Sequence, residues 1–477
     1  MHENSRMQNA QSIRDVIRYI ERFKNALIVI YLDDAIIDST LFSSHIRDIS
    51  LIHRAGLRVL IVPGARRRID HVLASSGISW TQQNGVRITA DEAMSQIKMA
   101  AFDVSNTVMT SLAAEHISAV IGNWVRARAL GVQHGVDYGT AGKIDKLQAD
   151  AILTVLQSGF IPIFPCIGWS VVGKPYNISS VALAEEIAVQ LQADKLFFVI
   201  PNAELCASQF IIPEKIGVSE TGKVPALNLD EVAAFIAANS ATAVIKNSDT
   251  EHSVYGANDK NMSNSAHELS AASPQRNEKI MSLLHIASRA CTAGVQRVHI
   301  LNGSRDGVLP CELFSDMGSG TMIYAKNYGD IRAMQNEDVP AVLSLMRPFV
   351  ASGKLLPRTD RQLRDTLADY IVYELDGGIR ACAALHVYDA HQAEIAAVAV
   401  DETYAHMGVG AQLIETLIAR AKKENCQSVF VLTTQTFDWF EKFGFAPADI
   451  ATLPEKRILQ WTHQRGSKAY RLTLHEA

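Results

Sequence analysis

A chain of 477 residues with 48% apolar and 20% charged side chains has room for two or three domains, each burying a core of its own. The formal net charge of −5 lacks the basic excess that a general nucleic-acid binder needs. No apolar run reaches membrane-spanning length, the six cysteines have no C-x-x-C or metal-like spacing, and Met1-His-Glu-Asn-Ser opens without an apolar leader. A cytoplasmic protein with reduced thiols and no metal is expected.

In chain order, residues 12–24 predict an amphipathic helix with Ile13, Val16, Ile17, Ile20 and Phe23 on one face. Its apolar face needs a partner, either this domain's core or another subunit. Apolar runs at 26–32, 57–62, 160–167, 196–200 and 295–301 then alternate with helical patterns at 41–55, 91–117, 145–158, 178–192 and 278–293. This alternation predicts an open, mainly parallel α/β sheet between helices. Residues 247–277 are polar and rich in Ser, Asn and Ala, with too little apolar area to offset ordering, so a mobile surface insertion is expected there.

Between 324 and 330 the pattern changes. Ile331-Arg-Ala-Met leads into a helix through Phe349, a second helix follows over 361–369, and with strands at 370–375, 380–387 and 393–400 these predict a second, α+β domain. A glycine turn and helix, strand 428–433, helix 436–442 and a last strand at 469–474 complete it.

The chemistry concentrates in that second domain. Strand 393–400 runs into a turn containing Gly408 and Gly410, followed by a helix with Leu413, Ile414, Leu417, Ile418 and Ala421 at helical spacing. A strand, a glycine turn and a helix N-terminus present free N–H groups to an anion, and missing Cβ atoms let a pyrophosphate approach the main chain. Glu394, on the same strand face as Ala396 and Val398 by the period of two, is placed to accept a proton. Position alone leaves open a solvated charge at a strand end.

These segments carry a resemblance. Strand 393–400, the Gly408/Gly410 turn and Trp439-Phe-Glu-Lys-Phe-Gly-Phe445 follow one another as in the GNAT superfamily of acyl-CoA-dependent N-acetyltransferases. One departure is Ala405, where the superfamily usually has Arg or Gln; a side-chain contact to CoA is lost and the backbone donors remain. Val431-Leu-Thr-Thr, Leu453-Pro-Glu and Gln464-Arg-Gly-Ser-Lys narrow the resemblance to the bacterial amino-acid N-acetyltransferases that make N-acetylglutamate, the first step of arginine biosynthesis. It implies acetyl-CoA as co-substrate, no permanently bound cofactor, and L-glutamate as acceptor. It further implies Glu394 as general base and Thr433 as proton donor to the departing sulfur. The backbone around Val398 and Val400, with Gly408 and Gly410, would hold the cofactor. Arg358, Arg465 and Ser467 would hold glutamate, arginine's planar fork suiting carboxylates.

Residues 25–323 resemble the amino-acid-kinase fold, above all acetylglutamate kinase, through Val62-Pro-Gly-Ala and Tyr176-Asn-Ile-Ser-Ser-Val. Active relatives carry Lys-x-Gly-Gly where this chain has Tyr31-Leu-Asp-Asp34, and Val181 stands where they have an organising aspartate. Two carboxylates repel a polyphosphate, so no phosphoryl transfer is expected. Residues 293–323 resemble the arginine-binding signature of arginine-inhibited acetylglutamate kinases. That implies L-arginine as inhibitor, held by Lys195, His299, Glu312 and Gly318. It also implies a homo-oligomer, a hexamer or tetramer, built through the helix at 12–24. The expected domains are therefore 1–24, 25–323 and 331–477. Competing readings are an active acetylglutamate kinase fused to an acetyltransferase, and an arginine sensor without catalysis.

Overall fold

The computed structural model describes residues 17, 20, 21, 23–83, 85–88, 90–214, 216–219, 221–244, 274–314, 318–325, 329–375, 378–388, 392–402, 404, 408–434, 437–459 and 466–474. They divide into two compact units, Met1–Lys326 and Asn327–Ala477. Most of the expected helix at 12–24 and of the insertion at 247–277 lies outside the described residues, as do Ala405 and Arg465.

In the first unit the sheet runs through β1 (Leu27–Leu32), β2 (Arg58–Pro63), β3 (Ala119–Ile121), β4 (Ile161–Ile163), β5 (Lys195–Ile200), β6 (Ala226–Asn228), β7 (Arg297–Asn302) and β8 (Thr321–Tyr324). Spatial order is β6-β8-β7-β5-β1-β2-β4-β3. Pairing is parallel except between β7 and β8. β1, β5 and β7 are buried along their whole length; β1 and residues 196–200 of β5 accordingly read as continuous apolar runs, while β7 carries Arg297, His299 and Asn302 among its apolar residues. Val29 and Tyr31 face a core shared with helices Ala149–Gln157, Ser180–Gln190 and Pro274–Thr292. Ile28, Ile30 and Leu32 face the opposite core, with helices Phe42–Arg54, Met94–Ala114 and Val308–Phe314. The mainly parallel, helix-covered sheet expected from sequence is present.

Two sequence readings need correction. The apolar run at 160–167 is not one strand: after β4 the chain leaves the sheet, and Ile167–Trp169 joins a separate four-stranded sheet. Pro165, which has no N–H to donate, marks the exit. The helix expected from 145 begins only at Ala149, because Gly142–Leu147 is a strand of that second sheet.

The second unit orders its strands β9-β10-β11-β12-β13-β15-β14. They are β9 (Asp330–Ala333), β10 (Tyr370–Leu375), β11 (Gly378–Val387), β12 (Gln392–Val400), β13 (Ser428–Thr433), β14 (Ala446–Ala448) and β15 (Lys468–Thr473). All pairs are antiparallel except β12–β13. Helix Val339–Ala351 packs on one face and helix Val409–Lys423 on the other. Among the described residues, no helix is long and apolar enough to cross a membrane, and no group of three or more His, Cys, Asp or Glu is arranged to hold a metal ion.

Candidate functional site

β12 and β13 pair in register only through Gln392–Ser428, Ala393–Val429 and Glu394–Phe430. Beyond Glu394 the two strands part, which opens a cleft in the middle of the sheet. A bulge sharpens the split: Ala397 has φ +53°, and the β11–β12 register shifts between Cys382 and Ala384. The left-handed conformation costs an alanine about 1–2 kcal/mol, strain of the kind that accumulates where a strand must present its backbone to a ligand.

The bulge overturns the expected face of Val398. The period of two is broken at Ala397, so Val398 and Val400 pack with Ile395 on the side of helix Val409–Lys423. The side of Glu394 is continued by Ala397 and Ala399. Sequence alternation cannot register a residue with positive φ inside a strand.

Glu394 itself is 4% exposed, so the solvated strand-end alternative does not hold. Its Oε2 accepts hydrogen bonds from the Tyr388 hydroxyl at 2.9 Å and the Arg457 Nε at 2.8 Å. Oε1 accepts none among the described residues. Burial and the charge of Glu394 push the Tyr388 phenol well above its ordinary range, so it remains a donor at any physiological pH. Across the ladder from Glu394 stands His386, whose Nδ1 is 2.7 Å from Asp369 Oδ2. Arg358 lies half-buried, its guanidinium 5.8 Å from the Tyr370 ring centre and its Nε buried without a hydrogen-bond partner among the described residues. Tyr388, Arg457, His386 and Asp369 were missed by sequence reasoning. Arg457 follows the Leu453-Pro-Glu segment, but nothing in its spacing foretold contact with a residue 63 positions earlier.

On the other side of the split, Thr433 ends β13, half-buried, on the face of Val429 and Val431 rather than that of Phe430 and Leu432. It is paired across the ladder with Lys468, next to the buried Ser467. Glu394 and Thr433 therefore flank the cleft from opposite faces. Gly408 caps the helix with φ +68°, and the first turn of N–H groups at Val409 onward points out of the helix end. A Cβ at Gly410 would stand 3.2 Å from Trp439 and 3.6 Å from Val400, so glycine lets this helix seat against the strand and the aromatic segment at once.

In the first unit, the carboxyl ends of β1 and β2 carry Asp33, Asp34 and Gly64. Asp33 accepts from Lys279 Nζ at 2.5 Å and from the Ala35 N–H at 3.1 Å. Asp34 accepts from the Arg67 N–H at 2.5 Å, at the start of helix Arg66–Ser75. Burial pushes the Asp34 carboxyl up. The Tyr31–Asp34 segment, which by itself offers no cation, thus receives one from a distant helix. An internal carboxylate also fills the anion position at the helix N-terminus.

At the opposite ends of the strands, Lys195 and His299 are each 2% exposed and open onto helix Val308–Phe314. The His299 ring stacks on Phe197 with centroids 4.6 Å apart. His299 Nδ1 is 2.6 Å from Glu312 Oε1, and the other carboxylate oxygen accepts from the N–H groups of Ser319 at 2.5 Å and Gly320 at 2.9 Å. Burial pushes the imidazole down, leaving it neutral with Nδ1–H donating. Burial raises the Glu312 carboxyl, but His299 and the two N–H groups outweigh it and hold it at about 2. Gly318 has φ +60°, and a Cβ there would come within 3.0 Å of Glu312. Lys195 Nζ lies 4.4 Å from the centre of the Phe23 ring, and Arg297, absent from the sequence reading, faces the same ring.

Comparison with known proteins matches residues 26–200 to the amino acid kinase family and residues 340–445 to the acetyltransferase (GNAT) family. The amino-acid acetyltransferase of Escherichia fergusonii is 31% identical over 468 residues, 96% of each chain. That of Escherichia coli (strain K12) is 30% identical over 478 residues, 98% of each chain. Among solved structures, N-acetylglutamate synthase from Neisseria gonorrhoeae complexed with coenzyme A and L-arginine matches with a TM-score of 0.73 and 27% identity, covering 98% of this chain and 99% of that one. The same enzyme complexed with coenzyme A and N-acetyl-glutamate matches with a TM-score of 0.55. The kinase-like sheet of the first unit and the split sheet of the second thus belong together in one known family, and the chain is a member of the amino-acid acetyltransferases.

Proposed function

We propose that this enzyme is an N-acetylglutamate synthase, transferring acetyl from acetyl-CoA to the α-amine of L-glutamate under feedback inhibition by L-arginine. The observation that carries the reading is the parting of β12 and β13 immediately after Glu394, with a buried carboxylate on one side and the Gly408-capped helix on the other. The thioester lies in the cleft, its pyrophosphate at the Gly408–Gly410 turn and its carbonyl toward main-chain N–H groups near Val398. Glu394 takes a proton from the substrate ammonium through its open Oε1 and releases it to solvent, the amine attacks the carbonyl, and as the C–S bond breaks the nitrogen of the adduct gives its second proton to Glu394, which again passes it to water. Thr433 passes a proton to the sulfur and regains one from solvent. Of the two protons the ammonium loses overall, one ends on sulfur and one in water. Arg358, Arg465 and Ser467 hold the amino acid. No residue is acylated on this route.

The domains that serve this function are 25–323, with 1–24 as an assembly helix, and 331–477. Lys195, His299, Glu312 and Gly318 form the arginine site in the first; Glu312 is the carboxylate for the guanidinium. Inhibition requires that arginine bind two arrangements of the enzyme with different affinity. A homo-oligomer in the cytoplasm completes the proposal. The fused-kinase alternative meets Asp33 and Asp34 where a phosphate would sit, which disfavours it. A glutamate-dependent CoA-release assay with and without arginine tests both units: no turnover with glutamate, but turnover with another amine, rejects the substrate.

A further inference from the structure

Arg457 spends one of its donors on Glu394. Its Nε–H holds Oε2 at 2.8 Å, and both side chains are nearly sealed, 11% and 6% exposed. The four N–H bonds on its two terminal nitrogens have no hydrogen-bond partner among the described residues, although neither nitrogen is shut away from solvent. The backbone beneath is fixed: Leu453 is buried with Phe430 and Ala469, and the Arg457 N–H bonds the Pro454 carbonyl at 2.8 Å. Among the described residues, the second oxygen of Glu394 thus has no donor and the fork of Arg457 no acceptor, on two side chains joined by one hydrogen bond.

We infer that Arg457 binds the α-carboxylate of the acceptor and makes the site select α-amino acids over other amines. This rests on the reading of the second unit as a glutamate acetyltransferase. In a guanidinium the terminal nitrogens are two bonds from Nε; in an α-amino acid the carboxylate carbon is two bonds from the amine nitrogen. An ammonium donating to Oε1 of Glu394 thus brings its own carboxylate alongside the fork, where bidentate pairing is the favoured geometry. The charges then alternate, ammonium on Glu394 and carboxylate on Arg457, so the zwitterion enters with its charges matched. A plain amine adds an unmatched positive charge and leaves the fork without an acceptor. Arg358, on the same side of the sheet over Tyr370, is left for the side-chain carboxylate.

Three acceptors separate this role from simple neutralisation of Glu394: L-glutamate, its α-amide and its γ-amide (L-glutamine). The wild-type enzyme is expected to use the α-amide at least about 100-fold less well than glutamate in kcat/KM, as sites built to pair a polar group reject analogues lacking it. In Arg457→Gln, glutamate falls toward the α-amide and that ratio approaches one, while the glutamate-to-glutamine ratio persists; Arg457→Lys restores part of the first ratio. An unchanged glutamate-to-α-amide ratio in Arg457→Gln, with all substrates falling together, overturns the inference. So does collapse of the glutamate-to-glutamine ratio instead, which would assign Arg457 to the side chain. Because only ratios are read, partial misfolding of a variant cannot imitate the expected result. Wild-type protein that fails to acetylate glutamate at all refutes the underlying reading, a distinct outcome.

Discussion

Replacing Glu394 with glutamine removes the proposed base and little else. The amide oxygen can still accept from Tyr388 and Arg457, which hold the carboxylate at 2.9 and 2.8 Å, so the neighbourhood keeps its shape. Two charge-assisted bonds become ordinary ones and Arg457 loses its counter-charge, a cost of about 1–2 kcal/mol of stability. Against a typical total of about 5–15 kcal/mol, the unit stays folded. Catalysis should suffer far more. Loss of a positioned general base is worth about 10²–10⁴-fold, or roughly 3–5 kcal/mol of barrier. Steady-state CoA release at saturating glutamate should therefore drop at least about 100-fold in Glu394→Gln, with thermal unfolding nearly unmoved. Arginine binding, measured by calorimetry, should persist, because the residues proposed for it lie in the other unit. A kcat within tenfold of wild type would refute the assignment of Glu394 as the base.

Thr433→Val keeps the shape and removes the hydroxyl; kcat should fall about tenfold with KM for glutamate unchanged, less than for the base because a thiolate leaves readily. A KM effect alone would make Thr433 a packing residue. Gly408→Ala meets open space, so its cost is the left-handed backbone alone, about 1 kcal/mol, read as a raised KM for acetyl-CoA; no change in that KM would dissociate the turn from cofactor binding. In the first unit, His299 and Glu312 both have folded pKa values below their unfolded ones, so the unfolded chain binds more protons and stability rises with pH. The His299 contribution is complete above about pH 6.5 and is lost as pH falls. That of Glu312, on the order of 3 kcal/mol, is complete above about pH 4.5 and is lost toward pH 2. A His299→Phe/Glu312→Gln double variant should show a flatter decline of melting temperature between pH 7 and 4, and weaker arginine binding; an identical decline would mean other groups set it.

Continuous apolar runs such as 26–32 and 196–200, whose strands are buried on both faces, made the first sheet legible in the sequence, because no polar alternation obscured them. Glycines at 408 and 410 made the helix start legible for the same local reason. Contacts set by long-range closure were not legible. Arg457 reaches Glu394 across 63 residues and Lys279 reaches Asp33 across 246. No period connects such positions; only the completed sheet brings them together. The face of Val398 was misread for a subtler reason. Alternation assumes an unbroken strand, and one alanine at φ +53° is enough to turn everything after it over.

The two ends of the first sheet carry opposite charge arrangements, and the proposed division of labour follows from that difference. At the carboxyl ends of β1 and β2, where open α/β sheets usually take ligands, Asp34 is bonded to the helix N-terminus and Asp33 to Lys279. A phosphate arriving there would have to displace an internal anion that is already covalently tethered, and therefore never dilute. At the amino ends, Lys195, Arg297 and His299 gather beside a carboxylate kept ionised by its neighbours. The charge pattern there, two cations and one anion around buried polar groups, complements an amino acid with a cationic side chain and a free carboxylate. Under the proposed reading, sensing uses the second end only and phosphoryl transfer would have used the first; β1, β2, β5 and β7 join both, so a change of charge at one end leaves the buried strands that frame the other in place.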